Sequence, residues 1–187
     1  IYLIKVKVKM EENFNINIID NFLEENTFRE LYNKIPHKTY KASKNYLKDT
    51  VNPQHSSLIP FWYAADLEPP VAAYVKERCE KAFNKKLALN FCTYTMLATV
   101  EPKVHCDYDK EKTSHQVIVY IRGNTDLHKG TGFYVKHDDK HELNTHIGFK
   151  ENRAIFWDSR TWHSPLNFTA EDKSKRFSII AQYKETT

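Results

Sequence analysis

The feature that most constrains the fold is a succession of short β-rich runs in the second half of the chain. The runs are FCTYTMLATV, HQVIVYIRG, GFYVK, HIGFK, NRAIFWD and RFSIIAQY, and polar turns separate them without a helical pattern in between. Several short strands at this spacing are typical of a barrel or a sandwich. We therefore expect residues 88–187 to form an all-β core.

The first half mixes strand and helix patterns and predicts an α/β support over residues 1–87. The stretch IYLIKVKVKM alternates apolar residues with lysines, which indicates a half-buried or edge strand. Residues 14–20 alternate like a second strand, whereas residues 23–35 and 69–83 carry apolar side chains at helical spacing. A chain of 187 residues is most simply one domain, so we expect residues 1–187 to share one core.

Composition excludes several classes of function. Four glycines in the whole chain argue against a glycine-rich phosphate loop, and no apolar run reaches the eighteen residues of a membrane span. The net charge of +4 is mild and the lysines are spread out, so nucleic acid is not an expected partner. Cys79, Cys92 and Cys106 form no CxxC pair, which favours a reduced, cytoplasmic setting.

The stretch VEPKVHCDYDKE carries a candidate metal site. His105 and Asp107 are two residues apart, so on an extended segment they point to the same side, whereas Cys106 points away. An imidazole and a carboxylate can then occupy adjacent positions on a divalent metal, with Asp109 as the rival carboxylate. Two histidines and one carboxylate on one face of an octahedron leave three positions open, as in non-haem Fe(II) oxygenases. His163, just beyond an apolar run, is the candidate third ligand.

A candidate carboxylate site lies thirteen residues beyond His163, at the start of the last β-rich run. Arg176 and Ser178 are two apart, so both side chains face the same side of the predicted strand. A guanidinium binds a carboxylate through two parallel N–H bonds, and a serine hydroxyl adds a third.

The ordered set of these motifs resembles the 2-oxoglutarate- and Fe(II)-dependent dioxygenases. Tyr120, the turn GTGFY and the run NRAIFWD follow in the order seen in the prolyl-hydroxylase-like branch. The similarity covers most of residues 14–183 and is densest over residues 88–183. The chain departs from many members of that branch by having Arg176 instead of lysine, and a Gly-Thr-Gly turn instead of Gly-Gly.

The resemblance implies a mainly β fold, a cupin-like double-stranded β-helix or jelly roll. It implies Fe(II) bound by His105, Asp107 and His163, with 2-oxoglutarate chelating the metal and its distal carboxylate on Arg176 and Ser178. It further implies O2-dependent hydroxylation of a C–H bond in a small molecule or a protein side chain, with release of succinate and CO2.

Several assignments stay open at this point. Tyr94 is either a residue that contacts the cosubstrate, as the resemblance implies, or a core aromatic. Trp157, Tyr120 and Arg160 are candidates for the substrate pocket, although Trp157 also suits a core and Arg160 a surface ion pair. The polar stretch 36–60 is a candidate lid. The alternative functions are a cupin-like isomerase or cosubstrate-independent dioxygenase, and a non-catalytic binding module.

Overall fold

The protein, seen in a computed structural model, contains eleven strands and two α-helices within the residues described. These residues are 3–7, 15–42, 62–97, 104–109, 111–166 and 175–186. The strands are β1 Leu3–Lys7, β2 Asn15–Asp20, β3 Lys41–Ala42, β4 Trp62–Asp66, β5 Lys86–Leu97, β6 His115–Arg122, β7 Gly130–His137, β8 Lys140–Gly148, β9 Arg153–Asp158, β10 Trp162–Leu166 and β11 Arg176–Thr186. The helices are α1 Glu25–Lys34, a 3-10 turn Ile35–His37 and α2 Pro69–Phe83.

The strands form two antiparallel sheets. The larger sheet has the order β1-β2-β9-β6-β11-β5-β4-β3, and the smaller has the order β10-β7-β8. The segment 104–109 adds an isolated bridge between His105 and His163, which places it beside β10. From β5 onward the chain passes repeatedly between the two sheets, with β5, β6, β9 and β11 in the larger sheet. This alternation is the double-stranded β-helix, so the predicted fold class is confirmed.

The larger sheet has a core on each of its faces. Its outer face packs against α1 and α2 through Phe28, Val75 and Cys79. Its inner face meets the smaller sheet through a second core, which includes Phe133 and Trp157. Any side chain on the inner face therefore lies between the two sheets, where it can contribute to an enclosed site.

Strand β11 shows how alternation sorts the side chains. Phe177 and Ile179 belong to the outer core, whereas Arg176 and Ser178 occupy the alternate positions and are 5% and 1% exposed. Successive strand residues point to opposite faces, so the arginine and the serine point inward. The predicted common face of these two residues is confirmed by this register.

The remaining predictions for the support agree in outline with the structure. Helix α2 spans the predicted range 69–83, and β1 lies at an edge of the larger sheet, as its alternating pattern indicates. Most of the candidate lid, residues 43–60, lies outside the described residues. Neither described helix is long and apolar enough to cross a bilayer.

Candidate metal centre

His105, Asp107 and His163 converge on one point between the two sheets. One potential ligand atom from each residue lies within 4.8 Å of the other two. Oδ2 of Asp107 is 3.3 Å from Nε2 of His163 and 3.8 Å from Nε2 of His105. Among the described residues, these three form a cluster of histidine and acidic side chains that could hold a metal ion.

Backbone pairing holds the three residues together. The N–H of His105 donates to the carbonyl of His163 at 3.0 Å, and the N–H of His163 donates back at 2.8 Å. The N–H of Asp107 donates to the carbonyl of Ser159 at 3.1 Å. Two ligands distant in sequence are thus brought into register by main-chain hydrogen bonds, independently of any ion.

The imidazole of His163 is oriented by its own strand. Its Nδ1 lies 3.0 Å from the carbonyl oxygen of Thr161, which can only accept, so Nδ1 carries the proton and donates. The other ring nitrogen, Nε2, faces the carboxylate of Asp107 at 3.3 Å. The ring is 5% exposed and packs against Trp157, with ring centroids 5.0 Å apart. A carbonyl that fixes the tautomer of a histidine is a common arrangement behind metal ligands.

The carboxyl of Asp107 is held in its charged form. Burial alone would raise its pKa, but the hydrogen bond from His163, the charges of both histidines and a hydrogen bond from Gln116 together lower it. A deprotonated carboxylate beside two imidazoles is the donor set expected of a divalent-metal site. The residues present therefore fit Fe(II).

The rival carboxylate, Asp109, has a different role in the structure. Its Oδ1 accepts hydrogen bonds from the backbone N–H groups of Glu111 and Lys112, at 2.9 and 3.3 Å. It thus caps the turn that leads into β6, and it is not in the group formed by the two histidines and Asp107. The structure favours Asp107 as the metal-facing carboxylate, as the sequence did.

A second polar group occupies the inner face around Arg176. Nη1 of this arginine donates to the carbonyl of Gly130 at 3.0 Å, and its guanidinium lies 5.3 Å from the ring centroid of Tyr120. Burial lowers the pKa of Arg176. The hydroxyls of Tyr120 and Thr131 are 2.6 Å apart. Sequence reasoning missed Thr131, although its position in the predicted turn was a usable signal.

The Ser178 hydroxyl is an unsatisfied member of this polar group. It is buried, and among the described residues it has no hydrogen-bond partner. Buried hydroxyls are nearly always satisfied, so an orphan beside a buried guanidinium needs an explanation. A carboxylate ligand would accept from both groups, and it would offset the cost of burying the cation. The residues fit the distal carboxylate of 2-oxoglutarate.

Tyr94 does not share this face. It pairs with Ile179 and lies in the outer core, fully buried, so the sheet separates it from the inner face that carries Ser178. Its hydroxyl donates to the Glu68 carboxylate at 2.7 Å. Burial would raise the pKa of Glu68, but hydrogen bonds from Lys38 and Tyr94 outweigh it and lower that pKa to about 2. The prediction that Tyr94 contacts the cosubstrate is therefore replaced by the core interpretation.

The three candidates for the substrate pocket lie in different parts of the structure. Trp157 is 1% exposed and lies directly beside His163, whereas Tyr120 lies at the arginine end of the inner face. Arg160 has a side chain that is 57% exposed and forms a two-pronged ion pair with Asp158, at 2.9 and 2.7 Å. For Arg160 the structure favours the surface ion pair with Asp158 over a role in the substrate pocket.

Solved structures with the same fold support the assignment of the architecture. A prolyl hydroxylase in complex with a hypoxia inducible factor peptide, from Trichoplax adhaerens, aligns with a TM-score of 0.58 and 15% identity, over 90% of this chain and 82% of that one. A Pseudomonas putida prolyl-4-hydroxylase gives 0.56 and 11%, over 92% and 93%. The α-ketoglutarate-dependent epimerase SnoN of nogalamycin biosynthesis gives 0.62 and 12%, over 92% and 78%.

These likenesses concern the fold, since all three identities are far below the level at which function is carried over. No protein-family model matches the sequence, and a search of curated proteins finds no relative. The chain nevertheless spans more than three quarters of each of the three neighbours. Because 90–92% of this chain is aligned, the likeness extends through the support as well as the β-core.

Proposed function

We propose that this protein is an Fe(II)- and 2-oxoglutarate-dependent oxygenase that hydroxylates a C–H bond. The observation that carries the proposal is the presence of two complementary groups on the inner face of one double-stranded β-helix. One is the His105–Asp107–His163 cluster, and the other is the buried pair Arg176 and Ser178.

The cluster would hold the iron through Nε2 of each histidine and Oδ2 of Asp107. Two metal–ligand bonds of about 2.1 Å at a right angle separate their ligand atoms by about 3 Å. The distances from Oδ2 to the two Nε2 atoms, 3.3 and 3.8 Å, need only a small contraction to meet this requirement. Three protein ligands on one face leave three positions for cosubstrate and O2.

Arg176 and Ser178 would bind the distal carboxylate of 2-oxoglutarate, with Tyr120 and Thr131 closing that end of the site. When bound, Fe(II) and 2-oxoglutarate supply the O2 activation that places one oxygen atom in the substrate and the other in succinate. The protein orients the two ligands and excludes water, since both Arg176 and His163 are 5% exposed. We place Trp157 at the wall of the substrate site because it packs directly on His163.

The named neighbours support this proposal and its substrate class. SnoN has been solved with Fe3+, α-ketoglutarate and nogalamycin RO, and the Trichoplax adhaerens enzyme with a peptide. A small molecule or a protein side chain is accordingly the proposed substrate of this chain.

We also propose a cytoplasmic protein organised as one domain over residues 1–187. Cys79, Cys92 and Cys106 are free thiols, which supports a reducing compartment. Strands β1 to β4 of the support extend the same sheet that carries β5 and β11, which supports a common unit.

The test is anaerobic addition of Fe(II) and 2-oxoglutarate to the purified protein, followed by visible absorption. We expect a metal-to-ligand charge-transfer band in the wild type, and its loss in His105→Ala. His115→Ala is the matched control because His115 lies in β6 and contacts Ser114 and Glu185 instead of the cluster. An unchanged band in His105→Ala would show that the metal assignment is wrong.

The same absorption experiment, together with an activity assay of Arg176→Ala, separates the alternatives. A cupin-like isomerase or cosubstrate-independent dioxygenase would bind Fe(II) without the keto-acid band, and Arg176→Ala would leave its activity intact. A non-catalytic binding module would bind neither Fe(II) nor 2-oxoglutarate.

A further inference from the structure

Two buried polar atoms of opposite hydrogen-bonding character are left unsatisfied near the metal cluster. One is Nε1 of Trp157, an indole nitrogen that can only donate, and the other is Oε1 of Gln116, an amide oxygen that can only accept. Within the described part of the chain neither atom has a hydrogen-bond partner. The two residues are 1% and 4% exposed, so bulk water does not satisfy these atoms either.

Strand pairing places the two residues side by side. Gln116 stands opposite Trp157 in the pairing of β6 with β9. Trp157 and Ile118 belong to the core of the inner face, and Gln116, two residues before Ile118, shares that face. Side chains directly opposite each other in an antiparallel pair have Cβ atoms about 4.5–5.5 Å apart. The free donor and the free acceptor therefore start from adjacent positions between the two sheets.

Ring contacts fix the indole beside the metal cluster. Trp157 packs edge-to-face on Phe133, with ring centroids 5.4 Å apart, and also on His163, with ring centroids 5.0 Å apart. The unsatisfied donor thus belongs to a side chain in direct contact with a proposed metal ligand. A substrate group bound by this indole would lie close to the metal, where the oxidised C–H bond must also be brought.

The two atoms together specify the chemistry of the group that would satisfy them. Such a group must accept from the indole and donate to the glutamine oxygen. An amide does both, through its carbonyl oxygen and its N–H, whereas a carboxylate would leave the glutamine unsatisfied and an apolar group would leave both. Buried polar groups are nearly always paired, and sites built to hydrogen-bond a ligand reject analogues that lack the matching group.

We propose that Trp157 and Gln116 form a subsite for an amide group of the substrate, next to the C–H bond that is oxidised. Resting on the proposed function, this inference narrows the substrate to a peptide or to a small molecule that carries an amide. Arg176 and Ser178, at the other end of the inner face, remain the partners of the cosubstrate carboxylate.

The test follows the indole N–H of Trp157 by proton–nitrogen correlation NMR, in protein loaded with Zn(II) and 2-oxoglutarate. The chain has three tryptophans, so Trp62→Phe and Trp162→Phe identify the Trp157 signal by elimination. Trp162 is also the internal control. It precedes His163 in β10 and therefore faces the other side of the sheet, where its ring lies 4.5 Å from that of His141.

The probes are acetamide, acetone and 2-propanol, which are similar in shape. We expect acetamide to shift the Trp157 signal saturably and to leave the Trp162 signal in place. Acetone can accept from the indole but has no N–H for Gln116, so its dissociation constant should be roughly 2- to 10-fold higher, the worth of one neutral hydrogen bond. 2-Propanol tests a hydroxyl, and binding equal to that of acetamide would overturn the assignment to an amide.

Gln116→Met removes the acceptor and keeps an unbranched side chain of similar length. We expect acetamide and acetone to bind this variant equally. Gln182→Met is the matched control: Gln182 pairs with Gln116 from β11, on the side away from Trp157, so the preference for acetamide should persist. Should Gln116→Met not fold, the comparison of acetamide with acetone on the wild type still decides.

The outcomes separate the subsite from the proposed function. If the keto-acid charge-transfer band forms but the Trp157 signal responds to no probe, or equally to acetamide and acetone, the subsite is overturned and the oxygenase stands. The subsite is also overturned if 2-oxoglutarate alone shifts this signal and acetamide adds nothing, because the indole then serves the cosubstrate. If the band is absent while acetamide binds preferentially, the oxygenase fails and the assignment to its substrate fails with it.

Discussion

Replacing Arg176 by methionine should separate cosubstrate binding from metal binding. The guanidinium is buried on the inner face next to the unsatisfied hydroxyl of Ser178. A bidentate contact with the distal carboxylate of 2-oxoglutarate would consist of two charge-assisted hydrogen bonds, each contributing about 1.5–3 kcal/mol. Their joint loss, about 3–6 kcal/mol, corresponds to a dissociation constant for 2-oxoglutarate roughly 150- to 25,000-fold higher.

The stability of the metal-free protein should respond much less. Arg176→Met gives up the bond to the Gly130 carbonyl and the contact with the Tyr120 ring. It also removes the cost of burying a cation. That cost is evident in the folded protein, where burial lowers the pKa of Arg176. We expect these effects to offset each other to within about 2 kcal/mol in the free energy of unfolding.

The assay is calorimetric titration of 2-oxoglutarate into the Mn(II)-loaded protein. Arg176→Lys keeps the charge but loses the fork, so we expect a smaller increase in the dissociation constant, roughly 10- to 100-fold. Arg122→Met is the control: this arginine lies in β6, with its guanidinium 4.6 Å from the ring centroid of Tyr32. If Arg176→Met bound 2-oxoglutarate within threefold of the wild type, the reasoning about this pocket would be refuted.

Three further predictions concern the carboxylates and one glycine. Asp107→Asn should weaken Mn(II) binding at least about 100-fold by calorimetry, whereas Asp109→Asn should leave it within twofold; equal losses would contradict the assignment. Gly130→Ala places a methyl against the backbone carbonyl oxygen of Ile147 in β8 and should lower the melting temperature strongly, while Gly123→Ala, whose methyl first meets the side-chain ring of Phe149 at 3.0 Å, should lower it less. The pKa of Glu68 falls from 4.5 to about 2 on folding, so its stabilising contribution is complete above pH 4.5 and is lost as the pH falls towards 2. Glu68→Gln should flatten this part of the acid-unfolding profile, and an unchanged profile would count against the ion pair.

Alternation within a strand was readable from the sequence, and register between strands was not. The spacing of Arg176 and Ser178 shows that they share a face whatever the neighbouring strand does. The face of Tyr94 depends on how β5 pairs with β11, and its partner is Ile179. A slip of one residue would have placed it beside Ser178, because side chains alternate with a period of two. Nothing local to FCTYTMLATV specifies that choice.

Strand β10 shows a second limit of local patterns. It contains Pro165, and a proline within a short run argues against a strand because it removes a hydrogen-bond donor. The structure tolerates it because β10 is an end strand in the order β10-β7-β8. By contrast, α2 was predictable to the residue because its signals, Pro69 at the start and an apolar stripe, are local.

Gln116 and Tyr120 show how one strand can serve both ends of the site. They lie on the inner face of β6 with Ile118 between them, about 13 Å apart along the strand. Gln116 stands opposite Trp157, which packs on His163, and Tyr120 lies against Arg176. A one-residue slip of β6 would replace all three inner residues by the apolar residues of the opposite face. The metal end and the carboxylate end would then lose their polar support together, so the pairing of β6 with β9 and β11 maintains both.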